Sequence, residues 1–231
     1  MNMVKKEDAD FYMLLASSIH DMKNSLSLLM HSFEEMYADV SRENTKEVER
    51  LALLNYEISR VNNDLIQLLG IYRLSQERLP LNVDEHFVYE LLEELILKNE
   101  ILFNLHGIHC NINCDEDLTG HFDLNLITGV INNVLVNAAR YAKKEIQLIA
   151  TKDKNYLCLS VADDGNGFPI NMIADPGGHM KNINFHTGST SLGLYFADKI
   201  ATMHKEGEKV GYMLLENNGP LKGGVFSIYL P

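Results

Sequence analysis

Apolar residues recur along the first third of the chain at alternating short spacings. Tyr12, Leu15, Ile19, Met22, Leu26, Leu29, Phe33 and Met36 follow one another at 3, 4, 3, 4, 3, 4 and 3, an unbroken heptad seam. The polar run YADVSRENTK interrupts it, and Asn44 followed by Glu47 has the form of a capping box that opens a second helix. Leu51, Leu54, Ile58, Val61, Leu65, Leu68 and Tyr72 then resume the seam. Neither run contains Pro, and Gly70 is their only glycine. The pattern predicts an antiparallel helical hairpin over residues 1–78. Two long amphipathic helices on a short loop cannot bury both seams alone. The expectation is therefore a homodimer whose paired hairpins form a four-helix bundle. The alternative is a hairpin packed on the C-terminal domain of its own chain.

From residue 79 the periodicity changes. Residues 85–106 read as an amphipathic helix, 108–114 as a strand, and 123–143 as a second helix. IQLIATKD and YLCLSVAD alternate as paired strands about a DKN turn. The stretch from Gly165 to Ser191, rich in Gly, Asn and His, is expected to be a mobile loop. SLGLYFADKIATMH follows as a helix, and GYMLLEN and GVFSIYL as two final strands. The predicted class is α+β: the hairpin, then an α/β sandwich over residues 79–231 with a mainly antiparallel sheet.

Composition narrows the function. No run approaches the roughly 20 apolar residues that span a bilayer. The start, MNMVKKEDADFYM, lacks the apolar core of a signal peptide. A cytoplasmic protein with no direct membrane insertion is expected. A formal net charge of −12 disfavours nucleic acid and anionic membrane as partners. It does not disfavour a single nucleotide, which backbone N–H groups and one metal ion can hold inside an acidic protein. The 3 cysteines, Cys110, Cys114 and Cys158, make no disulfide framework or four-ligand zinc site and read as buried thiols.

Four segments carry candidate chemistry. In HDMKNSL, His20 lies just off the seam on an exposed helix face. A histidine there is ordinarily a plain surface residue. Asp21, however, can hold the ring through Nδ1–H and leave Nε2 as the nucleophile. Asn24, one turn on, can orient a water or a phosphoryl oxygen. In NNVLVNAARYA, Asn133 and Asn137 share one helix face, where poor helix formers one turn apart suggest a polar pocket. An Asn137 carbonyl suits Mg²⁺, and Arg140 can reach a phosphate. Tyr141, the next residue, counts with the nucleotide-binding set. In VADDGNGF, a strand runs into Asp163 and then Gly165 and Gly167. A carboxylate there can accept from an exocyclic amine such as that of adenine, although many turns look alike. In HTGSTSLGLYFADKIA, a small-residue loop with Ser189, Thr190 and Ser191 leads through Leu192 and Gly193 into a helix, a natural anion site.

The order of these four segments resembles the histidine kinases of two-component signalling. The resemblance runs from about residue 10 to Pro231, and the nucleotide domain resembles the Bergerat, or GHKL-type, ATP-binding fold. HDMKNSL looks like the H-box of the dimerisation hairpin, Asn133–Asn137 the N-box, Asp163–Gly167 the first glycine box and Ser189–Leu194 the second. Two motifs depart from the family. Ser25 stands where the family usually has Pro, and Ser189 and Ser191 replace two glycines in the usual G-x-G-L-G-L. No sensor or receiver domain is expected to flank the core, so input is expected from a separate sensory protein or from something that binds the core directly.

The resemblance implies a kinase that autophosphorylates His20 from ATP and Mg²⁺. It then passes the phosphoryl group to an aspartate on the receiver domain of a separate response regulator. Asp21 and Asn24 match the pattern D-x-x-N, which the family associates with dephosphorylating the regulator. Two alternatives stay open: a histidine phosphotransferase with a degenerate ATPase domain, and an ATP-binding regulator of the anti-sigma type.

Overall fold

The computed structural model describes residues 21–22, 24–29, 31–32, 54, 57–58, 61–62, 64–70, 80–174 and 192–231. The chain divides into two compact units, Met1–Leu79 and Pro80–Pro231.

Every described residue from 21 to 70 is helical. Ser25 Oγ donates to the Asp21 carbonyl at 3.0 Å, and residues 24–29 continue as helix. Ser25 keeps the backbone N–H that a proline would lack, and the helix is not interrupted there. His20, the 37–46 loop and the Asn44–Glu47 capping box lie outside the described residues. Seam residues Leu26, Ile58, Leu65 and Leu68 are half-buried. Met22, Leu29, Leu54 and Val61 keep 53%, 55%, 55% and 42% of their surface exposed.

The second unit begins with strand β1 (Asp84–Phe87), followed by helices α1 (Val88–Lys98) and α2 (Glu100–His106). Strands β2 (His109–Asn113) and β3 (Thr119–Phe122) precede helix α3 (Leu124–Tyr141). Then come β4 (Glu145–Asp153), β5 (Tyr156–Asp163), the short α4 (Ile170–Ala174) and α5 (Leu192–Met203). β6 (Lys205–Glu206), β7 (Lys209–Val210), β8 (Tyr212–Asn217) and β9 (Gly224–Leu230) complete the unit.

Five strands form the main sheet in the order β2-β4-β5-β9-β8. β2 runs parallel to β4, and the other three pairings are antiparallel. β4 and β5 are joined by Lys154 and Asn155 at φ 46° and 73°. That two-residue turn, positive at both positions, matches the right-handed twist of the paired strands. β5 is central, and seven of its eight residues are buried. Leu148, Leu159, Phe226 and Ile228 are fully buried, as are Ile127, Ile131 and Leu135 of α3 and Ile200 of α5. Each such side chain contributes about 1.5–3 kcal/mol through burial. The other sheet face carries Ser160 Oγ against Ser227 Oγ at 2.7 Å and a Tyr212–Tyr229 stack at 4.5 Å.

The sequence pattern joined residues 85–106 into one helix, whereas the structure has a strand and two helices there. The break falls at Asn99 (φ −104°, ψ 8°). The Asn99 side chain is buried, and its Nδ2 donates to the Leu95 carbonyl at 2.8 Å and to Asn132 Oδ1 at 2.9 Å. A hydrogen bond to a residue 33 positions away decides the geometry, and local propensity does not register it. β1 pairs only with β3, as a separate two-stranded sheet. Residues 170–174, inside the expected loop, are helical; residues 175–191 lie outside the described residues.

Candidate active site

Helix α3 starts at Asp123, whose Oδ1 accepts from the Leu126 N–H at 3.0 Å. One face packs Ile127, Ile131, Val134, Leu135 and Ala138 into the core. The remaining face has to be polar. Asn133 is half-buried, and Asn137, Arg140 and Tyr141 are exposed. Neither Asn133 nor Asn137 hydrogen-bonds any described side chain or backbone group outside its helix. Tyr141 is 53% exposed, with the Arg140 guanidinium 5.6 Å from its ring centroid. The motif's first asparagine, Asn132, is different: it is buried and bonded to Asn99.

Asp163 ends β5 and is 9% exposed. Its Oδ1 accepts from the Gly165 N–H at 2.7 Å and the Gly224 N–H at 3.3 Å. Its Oδ2 accepts from no described residue. The carboxylate sits in a wall of glycines. A Cβ at Gly165 would lie 2.6 Å from the Tyr141 carbonyl oxygen and 2.7 Å from Asp163 Oδ1. A Cβ at Gly223 would lie 2.3 Å from the Asp163 carbonyl oxygen. Only glycine permits these approaches. The Gly165 contact also brings the C-terminal end of α3 against the turn after β5.

Asp164 fastens the same junction. Its Oδ1 accepts from the Lys143 N–H at 2.7 Å and the Lys144 N–H at 3.1 Å. Slight burial opposes ionisation of Asp164, but the backbone N–H groups of Lys144, Lys143 and Glu145 outweigh it and hold the carboxyl below the usual range. Gly167 has φ +77°, which favours glycine. The Phe168 N–H donates to Asn217 Oδ1 at 2.7 Å, and Asn217 Nδ2 donates to the Phe168 carbonyl at 2.9 Å.

The structure thus brings Tyr141, at the C-terminal end of α3, against Gly165 and beside Asp163, with Gly167 in the same turn; Asn137 and Arg140 stand on the last turns of that helix. Leu192 is half-buried and Gly193 buried on α5, which packs on α3. Ser189, Thr190 and Ser191 lie outside the described residues. Asp21 and Asn24 are exposed helical residues of the first unit. Sequence reasoning missed Asp164, Asn217, Gly223 and Gly224. The Gly223-Gly224 pair at the start of the last strand was the one available signal, and it reads equally as a turn.

Among the described residues, no three or more His, Cys, Asp or Glu side chains gather to hold a metal. The donor set suits Mg²⁺, which takes few protein oxygens when phosphate and water complete its shell. The Asn137 amide oxygen is available for it. Cys158 is buried as expected, whereas Cys110 and Cys114 are half-buried. Burial pushes the Cys110 thiol up to about 12, so it is no nucleophile near neutrality. No helix among the described residues is long and apolar enough to cross a membrane.

Comparison with known proteins gives the site a family context. Residues 122–231 match the family described as histidine kinase-, DNA gyrase B-, and HSP90-like ATPase. The chain is 25% identical to the sensor protein SrrB of Staphylococcus aureus (strain NCTC 8325), over 94% of this chain and 37% of SrrB. It therefore spans well under half the length of that relative. Among solved structures, it resembles the catalytic domain of histidine kinase ThkA in a nucleotide-free form. The TM-score is 0.54 at 24% identity, over 65% of this chain and 97% of that one. It also resembles full-length ShkA in complex with AMPPNP, with a TM-score of 0.65 at 17% identity, over 95% of this chain and 45% of ShkA. The histidine kinase AdeS of Acinetobacter baumannii gives a TM-score of 0.59 at 15% identity, over 91% of this chain and 96% of AdeS. At these identities the structural likenesses speak for the fold. The matched segment contains β5, α3 from its N-cap onward and the glycine wall around Asp163. Residues 122–231 are accordingly similar to ATPases of the histidine kinase, DNA gyrase B and HSP90 type, in a chain similar over most of its length to part of a sensor protein.

Proposed function

We propose that the chain is the catalytic core of a protein-histidine kinase that autophosphorylates His20. The observation that carries this reading is the half-engaged carboxylate of Asp163, one oxygen tied to two backbone N–H groups and the other open to a ligand. Asp163 Oδ2 accepts the adenine amine. Asn137 holds Mg²⁺, and Arg140 and the Ser189–Gly193 segment meet the phosphates. The metal supplies charge neutralisation at the transferring phosphoryl group. The chain's residues position the reactants. His20 Nε2 attacks the γ-phosphorus, the bond to the bridging oxygen breaks, and ADP leaves. Asp21 orients the ring and draws off the Nδ1 proton's charge.

The exposed seam residues Met22, Leu29, Leu54 and Val61 support burial against a second copy, so the working form is a homodimer. The phosphoryl group passes to an aspartate of a response regulator, in the cytoplasm, under control of a sensory element outside these residues. Asn24 serves dephosphorylation of the regulator by orienting the water that attacks its aspartyl phosphate, releasing inorganic phosphate. Asn24→Ala is expected to lose dephosphorylation of the regulator and keep His20 labelling; loss of both sinks that separation of roles.

Incubation with labelled ATP tests the main reading. Wild type should label, and His20→Gln and Asn137→Ala should not. Full labelling of His20→Gln would move the function to an ATP-binding regulator of the anti-sigma type. A second reading, a phosphotransferase with a degenerate ATPase domain, is favoured by Ser189 and Ser191 in place of two glycines. Absence of label on wild type, with label gained from a phosphorylated receiver domain, would select it.

A further inference from the structure

Asn217 is the last residue of β8 and pairs with Gly224 of β9. Its side-chain amide engages both main-chain groups of one residue: Oδ1 accepts the Phe168 N–H at 2.7 Å, and Nδ2 donates to the Phe168 carbonyl at 2.9 Å. Two bonds from one planar group fix Phe168 in orientation as well as in place. Among short side chains, an amide is the one that offers an acceptor and a donor side by side. An aspartate would set an acceptor against the carbonyl, and a serine reaches one group at a time.

The residue before Phe168 is shaped to the same amide. A Cβ on Gly167 would lie 2.4 Å from Asn217 Oδ1 and 3.1 Å from Nδ2. The other half of the hairpin end grips the upstream side of this turn. The Gly224 N–H donates to Asp163 Oδ1, and the Gly223 backbone lies against the Asp163 carbonyl. The β8–β9 hairpin therefore holds both ends of the Asp163–Phe168 turn, through glycines at one end and Asn217 at the other.

We propose that Asn217 is a positioning residue for nucleotide binding, acting by locking the Asp163–Phe168 turn so that Asp163 Oδ2 faces the base. Asn217 itself touches no nucleotide. The proposal rests on the ATP-site reading above and assigns to that site a residue outside its four motifs. Loss of the amide frees Phe168, lets the Gly165–Gly167 backbone wander, and spreads the Asp163 carboxylate over orientations of which few can bind.

The test is calorimetric titration of the full chain with ADP, for wild type, Asn217→Ala and Asn217→Ser. Thermal midpoints without nucleotide and amide exchange at Phe168 are measured alongside. Asn217→Ala is expected to weaken ADP about tenfold, the equivalent of the two hydrogen bonds lost, and to speed exchange at Phe168. Asn217→Ser should fall between, and it carries the test if the alanine variant does not fold. ADP affinity unchanged in the folded variants, with a lowered midpoint or faster Phe168 exchange, would make Asn217 purely structural and overturn the proposal while leaving the ATP reading intact. A wild type that binds no ADP would overturn both.

Discussion

Helix α3 carries two kinds of asparagine one residue apart. Asn132 is buried, 5% exposed, and its Oδ1 is occupied by the Asn99 amide. Asn133, half-buried, and Asn137, exposed, lie on the adjoining face without such a partner among the described residues. The same side chain on the same helix is architecture in one place and is left without a described protein partner in the other. The difference lies in whether the fold itself satisfies the amide. A buried amide left unpaired costs about 1–3 kcal/mol, so a paired one is a structural commitment. An exposed amide on a helix gains nothing locally, and its presence asks for another reason.

The comparison can be broken by experiment. The largest expected effect is at Asn137. Asn137→Ala should cut labelling by about 100-fold or more, the several kcal/mol a bound metal ion contributes, while the melting temperature stays within error. Asn132→Ala should do the reverse. It removes the acceptor for Asn99 Nδ2 and should destabilise the domain by about 1–3 kcal/mol in denaturant titration, with ADP affinity unchanged. If Asn132→Ala lost nucleotide at full stability, the division between the two asparagines would fail.

The smallest expected effect is at the far end of the helix. His204 is 2% exposed; its Nδ1–H donates to the Ile200 carbonyl at 2.8 Å, and its Nε2 accepts the Asp123 N–H at 3.1 Å. A backbone N–H can only donate, so Nε2 must be unprotonated. Burial holds the ring's pKa below its ordinary 6.5. Stability is therefore full above that value. It falls as acidification protonates the unfolded chain before the folded one. His204→Gln should flatten the dependence of the melting temperature on pH below 6.5. An unchanged slope would show that other groups govern it.

Much of this was legible in the sequence because it is local. The Asn133–Asn137 spacing, the DKN turn, the Asp163-Gly-Gly string and the last two strands each declare themselves within a dozen residues. What stayed hidden is non-local. Spacing from Asn137 selects Asn133, but nothing local separates Asn132 as a core residue, because its partner is 33 positions away. Asn99 reads as a helical residue until that partner is known. β1 and β3, four residues each, pair only with one another. They carry too little alternation to stand out. Asn217 sits in NNGPLKGG, where any residue passes as part of a turn. The parallel pairing of β2 with β4 is a matter of topology, and alternation alone does not encode direction.

The glycine wall around Asp163 also has a consequence for the order in which the domain assembles. The β4–β5 pair closes through a two-residue turn and can form early, but it leaves Asp163 with one side bare. The Gly224 N–H that completes the carboxylate's surroundings comes from 61 residues further along. Contacts of such separation form late, after shorter loops have closed. The nucleotide site proposed at Asp163 is therefore expected to be incomplete in any partly folded species that lacks the docked β8–β9 hairpin. On that proposal nucleotide binding is a readout of finished folding, and excess ADP is expected to stabilise only the completed state, by mass action.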